Sequence, residues 1–111
     1  MSVYTRRLVG PVVNAAANAW ATVGTVPANK VWVLRTVLLA VSGADSSLPW
    51  LAVNGTALGN RVWIGPLLAT NTGHNETLRL ALTAGETLRY RCTVTALSGT
   101  LLTITGYEFD A

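Results

Sequence analysis

Between residues 78 and 109 apolar and polar side chains alternate with a period of two, and this constrains the chain more than any other feature. Leu78, Leu80 and Leu82 interleave with Thr77, Arg79 and Ala81. After the turn Thr83-Ala84-Gly85-Glu86, the residues Leu88, Tyr90, Cys92, Val94 and Ala96 interleave with Arg89, Arg91, Thr93 and Thr95. A β-strand sends alternate residues to opposite faces, so each segment offers one face to a core and one to the outside. A second turn at Ser98-Gly99 leads into Leu102 and Ile104, and the spacing predicts three strands joined by short turns as an antiparallel meander. One sheet cannot bury its own apolar face, so the upstream residues must supply a second layer.

Upstream, residues 20–26 read as a short strand weakened by Gly24, and Val26-Pro27-Ala28-Asn29-Lys30 as a turn in which proline presets φ and asparagine closes in the left-handed region. Residues 31–42 form the longest strand. Val31, Val33, Val37, Leu39 and Val41 fall on one parity and Trp32, Leu34, Leu38 and Ala40 on the other, so both faces are apolar and the strand is expected to be covered twice. A polar loop over 42–47 precedes a strand at 49–53. Asn54-Gly55 signals a hairpin, and 61–64 is a further short strand. Gly106 stands where an apolar residue is due before Tyr107 and Phe109, which predicts a bulge at that position. The expected architecture is all-β: an antiparallel β-sandwich, jelly-roll-like, of about eight strands. Residues 1–18, broken by Gly10-Pro11, read as an N-terminal arm lying on a neighbouring subunit, and 19–111 as the sandwich domain.

The chain of 111 residues holds one modest core. Half of its residues are apolar and 12% are charged, against roughly 25% in typical soluble domains. So short a chain cannot hide that much apolar surface, which favours a homo-oligomer or assembly subunit. No stretch reaches the roughly 18 apolar residues of a membrane helix, and Arg6-Arg7 is not followed by the apolar run of a secretory signal. Synthesis in a cytoplasm without membrane attachment is expected. The single cysteine, Cys92, shares the inward phase of Leu88 and Tyr90 and reads as a core residue. The net charge of +3 comes from scattered basic residues. Only Arg79, Arg89 and Arg91 are placed to share a face, which reads as solvated strand positions and not as a nucleic-acid site.

Nothing in the chain assembles a catalytic or metal centre. His74 reads as a surface loop residue, and one histidine with one cysteine does not make a zinc site. The acids Asp45, Glu76, Glu86, Glu108 and Asp110 read as solvated turn or terminal residues. Glu76 and Glu86 facing each other across a hairpin would still lack a cleft for glycoside hydrolysis. No glycine motif precedes a helix to cradle phosphate. The expectation is no enzyme, no cofactor and no metal. Two glycosylation sequons, at Asn54 and Asn75, carry little meaning without secretion. Trp20, Trp32, Trp50 and Trp63 are expected to fill the core or an interface, with a glycan platform as the alternative.

The ordered stations Thr25-Val26-Pro27-Ala28-Asn29-Lys30, Val53-Asn54-Gly55, Asn75-Glu76-Thr77-Leu78, Leu82-Thr83-Ala84-Gly85-Glu86-Thr87-Leu88 and Ile104-Thr105-Gly106-Tyr107-Glu108-Phe109 resemble the turn and strand signals of small β-sandwich virion proteins of tailed bacteriophages. Asn29 departs from that pattern, which has glycine there. The resemblance implies a virion structural protein on the capsid or tail surface, commonly a trimer, without catalytic residues. Its preferred role is a capsid decoration or cementing protein bound to the major capsid protein, with a tail-associated or receptor-binding, glycan-contacting subunit as the alternative. The interface is expected at Leu8, Val9, Val12 and Val13 of the arm and at Trp32, Leu34 and Leu38 of the long strand.

Overall fold

The computed structural model describes residues 6–13, 19–41, 47–66, 68, 72–94 and 100–111. Eight strands run in the order β1 (Arg6–Val13), β2 (Ala21–Thr25), β3 (Lys30–Val41), β4 (Ser47–Val53), β5 (Arg61–Ile64), β6 (Gly73–Thr83), β7 (Thr87–Val94) and β8 (Thr100–Asp110). They form two antiparallel four-stranded sheets, β1-β8-β3-β6 and β2-β7-β4-β5, here called the first and second sheet. The pairs β1·β8, β3·β6, β2·β7 and β4·β5 are nested like the rungs of one long hairpin, whose tip is the connection from β4 to β5. Rolling that hairpin brings β3 against β8 and β4 against β7, which closes each sheet. This is the jelly-roll form of a β-sandwich.

The nesting corrects the expected meander. β6 and β8 lie in the first sheet on either side of β3, whereas β7 belongs to the second. The turn after β6 therefore crosses between sheets. Alternation sets which side chains point inward but not which strand lies alongside, so the inward residues Leu82, Leu88, Tyr90, Cys92, Leu102 and Ile104 are as expected while their strands' neighbours are not. With Leu34, Val37, Leu51 and others they fill the space between the sheets, and each large apolar side chain buried there contributes on the order of 2 kcal/mol.

Residues 6–13, read from the sequence as part of an arm, are the edge strand β1. They pair along β8 from Arg6 opposite Gly106 to Val13 opposite Leu101. Gly10 and Pro11 do not break the strand. They fall within a register irregularity between Val9 and Val12, with Gly10 at φ 92°, and an edge strand accommodates such a defect because one side needs no ladder.

The two apolar parities of β3 serve one core rather than two. Its inward residues are Trp32 and Leu34, then Val37, Leu39 and Val41, so the inward parity changes between Leu34 and Thr36. Both of its ladders shift register at that point. Arg35 is the extra residue relative to β8, a bulge that reverses the face each later side chain takes. The expected bulge at Gly106 thus sits on the neighbouring strand. Gly106 keeps the inward phase of Leu102 and Ile104, opposite Leu34. A Cβ there would meet the Val33 carbonyl oxygen at 2.0 Å, so the bulged backbone occupies the space a side chain would need.

The turns follow the sequence more closely. Asn29 has φ 61°, and the Lys30 N–H donates to the Pro27 carbonyl at 3.2 Å. Asn54 has φ 67°, but the chain does not return at once, because a single 3₁₀ turn, Leu58–Asn60, intervenes before β5.

Replacing Gly106 with alanine is expected to destabilise the fold by roughly 3 kcal/mol, the upper range for forced overpacking. Gly59→Ala, whose Cβ would meet no atom within 4 Å, should stay within about 0.5 kcal/mol of the parent. Equilibrium urea denaturation of the two variants checks the contrast.

Candidate interaction surfaces

The two sheets present outer faces of different chemistry. On the first sheet, Val31 pairs with Phe109 and Val33 with Tyr107 across β3 and β8, and all four are half-buried. The Tyr107 and Phe109 rings lie 6.1 Å apart at 46°, and the Arg35 guanidinium sits 5.7 Å from the Tyr107 ring centre. Past the bulge, Ala40 opposes Leu101 and Leu38 opposes Thr103. Leu38 and Leu101 are each 39% exposed and lie diagonally across the same ladder. The result is two apolar patches on the middle strands of the sheet, Val31, Val33, Tyr107 and Phe109 at one end and Leu38, Ala40 and Leu101 at the other, with Arg35, Thr36, Thr103 and Thr105 between them.

On the second sheet, Trp50 lies opposite Arg91 and Ile64, and Ala52 opposite Arg89 and Arg61. The Arg61 guanidinium is stacked between two indoles, 4.7 Å from the Trp50 ring centre and 5.5 Å from Trp20, while Arg91 approaches the other indole neighbour Trp20 at 5.8 Å. Such contacts contribute about 0.5 to 2 kcal/mol each, according to how dry they are. The Nε atoms of Arg61 and Arg91 and the Trp50 Nε1 are buried without a hydrogen-bond partner, beneath the stacked rings. Beside it, Trp50, Leu58, Arg61, Val62, Trp63 and Ile64 line a shallow depression of about 450 Å³. Leu58 is 77% and Ile64 50% exposed there.

This arrangement corrects the expected basic trio. Arg79 lies on β6 in the first sheet, apart from Arg89 and Arg91 on β7, and Arg61 of β5 joins those two instead. The signal for Arg61 was weak in the sequence because β5 is short and a register shift separates it from β4 between Leu51 and Ala52.

The remaining tryptophans are pinned by acids that the sequence assigned to solvent. Trp32 donates its indole N–H to Glu108 at 2.8 Å, and Trp63 donates to Glu76 at 2.6 Å. His74 lies in β6 and not in a loop, with Nε2 3.1 Å from the second Glu76 oxygen. The Trp63 N–H, followed by His74, holds the Glu76 carboxyl below the usual glutamate range. Glu86 does not face Glu76. Its carboxylate accepts the Thr83 backbone N–H at 2.8 Å, the Thr83 hydroxyl at 2.9 Å and Asn54 Nδ2 at 3.3 Å, and the Thr83 bonds lower its pKa. Cys92 is fully buried, and its thiol donates to the Tyr90 hydroxyl at 2.6 Å. Burial, then Cys92, pushes the Tyr90 phenol far above its usual range.

Of the residues expected at an interface, Val9, Trp32 and Leu34 belong to the core, because β1 is paired into the first sheet and the even parity of β3 faces inward before the bulge. Leu8 is half-buried against that core and Leu38 stands on the outer face. The side chains of Val12 and Val13 lie outside the described residues. Among the described residues no three His, Cys, Asp or Glu side chains are placed to hold a metal ion.

No protein-family model and no curated protein sequence matches this chain. Its fold is similar to that of a subunit of the disulfide-linked pili of Bacillus endospore appendages, with a TM-score of 0.56 at 13% identity over 98% of this chain and 88% of that one. A family 35 carbohydrate-binding module from Clostridium thermocellum gives 0.49 at 11% identity, with both chains fully covered. Infectious bursal disease virus, Gx strain, gives 0.47 at 13% identity over 99% of this chain but only 37% of the viral one. The likeness is one of fold.

The lowered pKa of Glu76 has a definite sign. A carboxyl more acidic in the folded than in the unfolded chain adds stability above its unfolded pKa, and that contribution is lost as pH falls through the folded value. Urea midpoints of the parent and Glu76→Gln should therefore differ most at neutral pH and converge below about pH 4. A difference that does not change with pH would contradict the assignment.

Proposed function

We propose that this chain is a non-enzymatic structural subunit that associates with copies of itself through the outer face of the first sheet. The observation that carries the reading is the apolar outer face of β3 and β8, with Val31, Val33, Tyr107 and Phe109 at one end and Leu38 and Leu101 at the other, over which none of the described strands is layered. Exposed apolar area of this kind is costly in a monomer and is removed from water by association. The low charge of the whole chain supports the same reading.

Within that class, the resemblance of the turn stations to phage virion proteins favours a capsid decoration or cementing protein, a trimer bound to the major capsid protein. A tail-surface subunit is the second virion role. The jelly roll suits repeated assembly because its rigid sheets present fixed faces. Cys92 lies in the core, so association through this face is non-covalent.

Light scattering coupled to size-exclusion chromatography should give a multiple of the 11.7 kDa chain mass, three-fold for the favoured trimer. Leu38→Glu combined with Leu101→Glu should give the monomer mass, with an unfolding midpoint that no longer rises with protein concentration as that of an oligomeric parent does. A parent protein that stays monomeric up to its solubility limit overturns self-association. The copy number of the chain in purified particles, measured against the shell protein by mass spectrometry, then decides between capsid and tail.

A further inference from the structure

The outer face of the second sheet has a different use. We infer that it receives a segment of a second, acidic protein, one that presents carboxylates flanked by apolar side chains. The inference adds a partner to the assembly reading and rests on it only in taking that partner to be a protein.

The argument begins with which charges are already satisfied. All four described acids are engaged within the chain: Glu76 by Trp63 and His74, Glu86 by Thr83 and Asn54, Glu108 by Trp32, and Asp110 by Lys30. By contrast, neither Arg61 nor Arg91 meets a carboxylate among the described residues, and Arg89 has only the Asn54 carbonyl, at 3.3 Å. Three guanidiniums therefore share one face with no described acid on it. Among the described residues neither this chain nor a second copy of it has a free carboxylate to offer them, and we take the complementary charge to come from another molecule.

The shape and lining of the face narrow the class. Stacking on Trp20 and Trp50 fixes the Arg61 and Arg91 guanidiniums in place and buries their Nε atoms. An arginine fixed in this way loses less side-chain entropy when it binds a carboxylate. The adjoining depression of about 450 Å³ is walled by Leu58, Val62 and Ile64. Its hydrogen-bonding groups are few: Arg61 is the one charged group, the Trp50 Nε1 is buried, and the Trp63 Nε1 is taken by Glu76. A saccharide needs several partners for its hydroxyls, and this wall does not supply them. A nucleic acid needs a longer basic track than three arginines. Tryptophan and arginine beside exposed aliphatic side chains make the composition of a protein-interface hot spot.

The test uses a short synthetic peptide in which glutamate and leucine alternate, and a twin with glutamine in place of glutamate. Each is titrated into the nitrogen-labelled protein while the four indole N–H signals are followed. The expected result is that the glutamate peptide shifts the Trp20 and Trp50 signals and leaves Trp32 and Trp63, which are bonded to Glu108 and Glu76, in place. Binding should weaken about tenfold in Arg61→Ala and in Arg91→Ala, the loss of one charge-assisted contact, and should fall with added salt. Arg61→Lys, which keeps the charge without the planar stack, should bind with intermediate strength. If Arg61→Ala does not fold, Arg91→Ala and the salt dependence carry the decision.

Equal binding by the glutamine twin, shifts confined to Trp32 and Trp63, or no shift up to the solubility limit of the peptide would overturn the inference. Displacement of the peptide by oligogalacturonate or by a single-stranded oligonucleotide at lower concentration would overturn it in favour of those ligands. The oligomer mass of the same variants is read in parallel. In these variants an intact oligomer with weakened peptide binding is the expected pattern; a parent protein that binds the peptide but stays monomeric counts against the first-sheet interface alone, and an oligomeric parent that does not bind it counts against this inference alone.

Discussion

The bulge at Arg35 is the constraint on which much of this sandwich depends. β3 is the strand through which β8 and β6 are joined, and it is long enough to run the full height of the first sheet. Without an extra residue, a strand with Trp32 and Leu34 inward would turn Val37, Leu39 and Val41 to solvent. With it, both halves fill the same core. The extra residue pushes the β3 backbone toward β8, and Gly106 is the position that yields. Arg35, displaced outward, then lies over Tyr107. One local irregularity thus sets the core packing, the need for glycine on the neighbouring strand, and the aromatic end of the outer face.

The same tertiary arrangement separates two chemistries onto opposite faces. Consecutive strands mostly alternate between sheets, so residues close in sequence end up on opposite sides of the molecule, as Arg79 and Arg89 do. The first sheet is left with an uncharged aliphatic and aromatic centre, interrupted by Arg35. The second gathers Arg61, Arg89 and Arg91 around Trp20 and Trp50. An apolar face suits contact between identical copies because it needs no charge complement. A cationic aromatic face needs a complement, and the described acids of this chain are occupied elsewhere.

Those acids also explain how bulky indoles are tolerated at the rim of the core. Trp32 and Trp63 bury their rings but keep an N–H that must be paired, and Glu108 and Glu76 accept it on adjacent strands or across the sheets. The glutamates were read from the sequence as solvent-facing because nothing local marks them as acceptors for residues 76 and 13 positions away. Glu86, by contrast, acts locally on its own turn and was legible as a turn residue.

The sequence by itself determined the all-β class, the inward phase of β6, β7 and β8, the burial of Cys92, the left-handed turn at Asn29 and the presence of a turn at Asn54. Each of these follows from periodicity or from the conformational preference of a single residue, which are local properties. Tertiary structure decided the rest. It placed β1 on β8, nested the pairs from β4·β5 outward, moved the bulge from Gly106 to Arg35, and brought Arg61 between Trp20 and Trp50. These outcomes depend on which distant strands lie side by side and in what register. A period of two in a strand carries no record of its neighbour, so the partner is fixed only when the whole hairpin rolls around a common core.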